Sequence, residues 1–162
     1  MHDGAGVLAW LAATGLSVAM RGSAWMYPIV EIVHIVGFSL LVGSIAMVDL
    51  RLLGFVRAMP VRALARSLLP WSLASLLLIV PAGLMLFAAH PQELAANGVF
   101  QLKLALIGLA GINAALFHVG AYRSVDAWNT AVKAPAAARV HALASLALWI
   151  TVISCGRLLA YT

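Results

Sequence analysis

The chain is short of charge, and shortest of acid. Of its 162 residues five are acidic, and only Glu31 and Glu93 are glutamates. Charged residues of both signs make up 9% of the chain and hydrophobic residues 64%, whereas a soluble domain is about a quarter charged. That balance excludes an ordinary soluble domain and points to a polytopic membrane protein. Two glutamates are too few for a di-iron carboxylate bundle, although Glu31 and His34 have the Glu-x-x-His spacing of one half of such a site. The single cysteine, Cys155, excludes an internal disulfide and a Cys-based zinc site. No Gly-x-Ser-x-Gly turn is present to support Ser-His-Asp hydrolysis. The six methionines are scattered, whereas copper passage favours clusters of Met and Cys or paired His. The opening MHDGAGVLAW lacks a basic n-region, so no cleaved signal peptide is expected.

What the chain does have is apolar length. A helix needs roughly 20 apolar residues to cross about 30 Å of hydrocarbon, and four segments qualify, at about 28–50, 70–89, 100–122 and 140–160. Pro28 and Pro70 stand at the first turns of the first two, where a missing N–H has no intrahelical partner to lose. Pro81 should kink the second. The segment at about 4–20 is short for a span, and Thr14, Ser17 and Arg21 give it a weak polar stripe. It is expected to lie in the membrane interface as an amphipathic helix, a fifth, tilted span being the alternative. The expected fold is therefore all-α, a four-helix membrane bundle within one domain, residues 1–162, with an N-terminal interfacial helix. Short loops make sequential spans antiparallel neighbours.

The net charge of +5 is no nucleic-acid signal, because no basic run with interleaved aromatics occurs. The basic residues sit at span ends. Arg51, Arg57, Arg62 and Arg66 follow the first span and Arg123, Lys133 and Arg139 the third, against Arg21, Lys103 and Arg157 on the other side. The positive-inside rule puts the richer loops in the cytoplasm and both termini outside, in the periplasm of a bacterial inner membrane. Trp25, Tyr27, Trp71, Trp128 and Tyr161 lie near span ends, as an aromatic belt would.

The candidate chemistry is sorted by depth. Glu31 and His34 share a helix face on the outer side, at the level of Met85, His90, Lys103 and Arg157. His118 and His141 lie at one depth on the inner side, near Asp49, Arg51 and Arg123, with Asn113 near the middle. Histidines at matched depth on different helices suit a b-type haem, whose iron takes two neutral imidazoles. The inner site would use His118 and His141, and the outer His34 with His90 or Met85. His34, His118 and His141 are the metal-ligand candidates. Glu31 and Arg157 would tune the outer site or pair with each other, and Asp49 would pair with Arg123.

Plainer readings stand beside these. Gly108 and Gly111 suit close helix packing, Cys155 a small packing residue, His90 an exposed loop, His141 an interfacial position, and the arginines topology. His34 resists such a reading, since ionisable groups within a span are costly and usually retained for a pathway or ligand.

The run MRGSAWMYPIVEIVHIVGFSLLVGSIAMVDLRLLG resembles the signature of an uncharacterised family of small bacterial inner-membrane proteins, through its E-x-x-H-x-x-G and D-L-R-L-L-G elements. LLPW at 68–71, NGVFQLK at 97–103 and SCGRLLAY at 154–161 extend that resemblance along the chain. More distantly, a histidine followed by a glycine-rich helix resembles copper-resistance D-type proteins and the small membrane protoporphyrinogen oxidases. That resemblance implies copper uptake or haem-linked redox chemistry, with His34 matching the family histidine.

The expectation is a haem b protein moving electrons between a quinone and a redox partner protein. The alternatives are a cofactor-free transporter or channel subunit, for copper or another small solute, and a structural membrane subunit. The lipid bilayer is a partner in every case, and a homo-oligomer is open.

Overall fold

A computed structural model of the chain describes residues 3–161. It contains α1 (Asp3–Ala13), α2 (Gly15–Gly22), α3 (Met26–Leu53), α4 (Val61–Ala89), α5 (Pro91–Ala96), α6 (Gly98–Val119), a 3-10 helix (Ala121–Trp128) and α7 (Ala136–Leu158). Among the described residues there is no strand. Helices α3, α4, α6 and α7 are long and apolar enough to cross a bilayer, and the molecule is a polytopic helical membrane bundle. Its two ends are called here the terminal end, where α1, α2 and α5 lie, and the arginine-rich end.

Helix α3 is central, packing along α4 on one side and α7 on the other, while α6 packs along α7. Close approach of α3 to α4 depends on Gly37. A β-carbon there would stand 3.0 Å from both Ile79 Cγ1 and Leu78 Cβ. Small residues at such crossings let membrane helices gain dispersion contacts where no hydrophobic effect drives them together. Two apolar clusters result. One, around Leu41, Ala110, Trp149 and Val152, lies in mid-bundle. The other, around Leu52, Val61, Phe117, Val125, Trp128 and Ala138, closes the arginine-rich end.

Three expectations change. The N-terminal segment is two helices rather than one, because Thr14 competes with the helix ladder. Its hydroxyl donates to Leu11 O at 2.8 Å, and its oxygen accepts from Ser17 N at 3.3 Å as the cap of α2. The second span starts at Val61 instead of Pro70 and runs through both Pro70 and Pro81. Each proline removes one backbone bond, while fully buried Val61 and buried Leu64 anchor the first turns. The third span stops at Val119, where Gly120 turns the chain so tightly that a β-carbon would meet Leu116 O at 2.9 Å.

The loop after α6, beyond its 3-10 helix, is stitched across to the α3–α4 loop. Val61 N donates to Asn129 O at 2.9 Å and Arg62 N to Asn129 Oδ1 at 2.9 Å. Arg62 pairs with Asp126 at 3.0 Å. At the other end, Ser17 donates to Ala88 O, and Arg21 to Ser17 and Ala89 O, tying α2 to the end of α4.

Candidate functional site

His34 lies two turns into α3, its ring half-buried against α4. Its Nδ1 is 3.0 Å from Ile79 O. A carbonyl can only accept, so Nδ1 carries a proton, and in the neutral ring Nε2 keeps its lone pair. Gly83 makes room for the ring, since a β-carbon there would lie 3.1 Å from His34 Cε1. Phe38 stacks on the ring at 6.5 Å and meets Trp149 edge-on at 5.8 Å. The E-x-x-H-x-x-G element thus has a local explanation. The histidine and Gly37, three residues apart, face α4 together, while Glu31 is exposed.

Lys103 of α6 and Glu31 are the charged groups that act on His34. The Lys103 ammonium lies beside Gly156 of α7, where a β-carbon would approach within 3.9 Å of Nζ. No hydrogen-bond acceptor engages it among the described residues, and the buried Cys155 is its electrostatic neighbour. Sequence placed Lys103 at this depth but gave no reason to single it out. The lysine within the apolar opening of α6 was the available signal.

The other histidines go elsewhere. His90 lies at the end of α4, 3.3 Å from Glu93 and edge-on to Tyr27 at 6.4 Å. It helps line a surface groove of about 290 Å³ with Arg21 and Tyr27. His118 is exposed on α6 and bonds its own helix, Nδ1 to Ala114 O at 2.8 Å. His141 is half-buried in α7 and forms a reciprocal pair with Asn113 of α6. Its Nδ1 lies 2.8 Å from Asn113 Oδ1, while Asn113 Nδ2 donates to His141 O at 3.0 Å. Phe117 packs against both rings, at 5.4 and 6.1 Å. In all three helical histidines, His34, His118 and His141, Nδ1 is committed to a carbonyl oxygen and Nε2 is left as the basic atom. That is how ligand imidazoles are commonly oriented.

Two expected ion pairs do not form. Glu31 does not meet Arg157, which instead bonds Tyr161 one turn on and stacks over its ring at 4.8 Å. A contact between the last turn of α7 and the residues just beyond it replaces a pairing that depth alone suggested. Asp49 does not meet Arg123, because α3 continues to Leu53 and keeps Asp49 inside the bundle, 6% exposed. Arg51, 2% exposed, binds Met59 O at 2.6 Å through Nε and Asn129 O at 3.1 Å through Nη2. It clamps both loops of the arginine-rich end. Gly54, at φ +108°, then ends α3 in a left-handed cap. The D-L-R-L-L-G element therefore encodes a buried acid, a loop clamp, a core leucine and a helix stop.

A shallow groove of about 430 Å³ runs between α6 and α7. It is lined by apolar side chains with Asn113 and Thr151 as its polar members. Among the described residues no three His, Cys, Asp or Glu side chains converge. None of the curated proteins and none of the solved structures matches the chain. Residues 9–162 match DUF6644, a family of unknown function; the chain, a multi-pass helical membrane protein, belongs to that family.

Proposed function

We propose that the protein is a small bacterial inner-membrane protein that holds haem b on His34 and passes electrons between a quinone and a partner protein. The observation that carries this reading is the Nδ1 bond of His34 to Ile79 O at 3.0 Å, which leaves Nε2 as a fixed, neutral donor atom inside a membrane helix. Haem, when bound, supplies the one-electron chemistry.

The residues fit a site built on one histidine of this chain. His34 orients the donor atom. Gly83 gives its ring room, and Lys103, with no acceptor of its own, offers positive charge to a propionate. They do not fit the inner bis-histidine site in the same way. His118 lies on the exposed surface of α6, while His141 is held by Asn113 in the α6–α7 contact. Among the described residues no second histidine meets His34, so any second ligand would come from water, a partner or another copy.

The groove along α6 and α7 suits a quinone: its walls are apolar and Asn113 and Thr151 give it polar points. The arginine-rich end faces the cytoplasm by the positive-inside rule and the termini face the periplasm. Copper passage has less support, because among the described residues no three His, Cys, Asp or Glu side chains converge.

The test is haem per chain in purified His34→Ala and His118→Ala proteins. His34→Ala should lose the cofactor and His118→Ala should keep it. Haem retained in full by His34→Ala would refute the assignment.

A further inference from the structure

We propose that Asp49 and Ser145 form a proton-binding site inside the bundle, which takes up a proton from the arginine-rich face. The inference rests on the packing of α3 and α7 and is independent of any haem.

Asp49 is 6% exposed, and its Oδ2 is buried with no hydrogen-bond partner. Ser145 of α7, itself 8% exposed, is the neutral polar side chain set beside the carboxylate. Among the described residues no cation pairs with it. Arg51, on the same helix, is turned to Met59 O and Asn129 O. Arg62 of α4 is paired with Asp126, and Arg66 of α4 is exposed. Arg139 of α7 makes no ion pair with Asp49. His141 of α7 and Asn113 of α6 are committed to each other. A desolvated carboxylate without a cation neutralises itself by binding a proton. Such groups within spans typically mark proton paths.

An entry side is also marked. Asp49 is one turn from the end of α3, beneath the loops that Arg51 holds together. Two further buried polar atoms without partners, Arg51 Nη1 and Arg139 Nε, belong to this end of the bundle. Three orphaned polar atoms call for water there, since buried polar groups are otherwise satisfied. Uptake is a single proton transfer: an O–H bond of hydronium at the face breaks, one forms on the Asp49 carboxylate, and water and the neutral acid remain.

The chain has only three aspartates, Asp3, Asp49 and Asp126, so isotope-labelled aspartate makes the group visible by infrared spectroscopy. The full-length protein in lipid nanodiscs should show the carbonyl stretch of a protonated carboxylic acid at neutral pH. That band should vanish in Asp49→Asn, shift in Ser145→Ala, and move on transfer to heavy water. Only ionised carboxylate bands at neutral pH would overturn the proposal. An acid band that does not respond to heavy water would equally overturn uptake from the face. If Asp49→Asn fails to fold, the Ser145→Ala shift and the exchange in unaltered protein decide the matter: an unshifted, non-exchanging band refutes it.

Discussion

The two ends of α3 treat their polar residues differently. At the arginine-rich end Arg51 is largely consumed by the fold: two loop carbonyls take its Nε and Nη2, only Nη1 is left over, and the residue is 2% exposed. Toward the terminal end His34 spends one ring nitrogen on Ile79 and keeps the other, while Lys103 spends none of its donors on an acceptor among the described residues. A cation at a span end is well explained by loop closure. A half-used imidazole and an unsatisfied ammonium in an apolar setting have valence left for a ligand. Function is better sought in what the fold leaves unsatisfied than in charge alone.

The largest effect that would sharpen this contrast is at Arg51. Arg51→Ala removes two charge-assisted bonds and strands two carbonyls, at a cost of about 3 kcal/mol or more. Thermal unfolding in detergent should fall steeply, with haem per folded chain unchanged. A variant as stable as the parent would break the structural reading of that end. Next is Gly37→Val, whose β-carbon would stand 3.0 Å from α4 atoms. Overpacking of that kind costs about 1–3 kcal/mol, and by parting α3 from α4 it should also weaken haem retention. Asn113→Ala loses the reciprocal pair with His141, worth about 1 kcal/mol in membrane helices. A small drop in melting temperature with full haem content is expected, and loss of haem would return the inner site to consideration. The smallest effect is at Lys103. Lys103→Gln should keep the fold and the haem but lower the midpoint potential, because a nearby cation favours the reduced form. An unchanged redox titration would remove Lys103 from the site.

The spans were legible because apolar length is a direct physical requirement of the bilayer, and α3, α6 and α7 lie close to where composition puts them. Pro70 misled because proline is equally at home in a first turn and in a long span held by other contacts. The 3-10 helix after α6 and the Asn129 stitches were not legible, since they depend on loops far apart in sequence. Depth along a helix could be counted, but direction around it could not. That is why His118 and His141, equal in depth, end on different surroundings, and why Asp49 read as a span end. Its spacing to Leu52, three residues on and in the core, was the signal that Asp49 faces inward.

The central claim is most directly tested by the visible spectrum of purified protein from haem-replete cells, oxidised and then reduced with dithionite, for the parent and for His34→Ala. The expected result is a Soret band with sharp reduced α and β bands in the parent, lost in His34→Ala. A colourless parent, or a variant with the parent's spectrum, would contradict the assignment of His34 as the haem ligand.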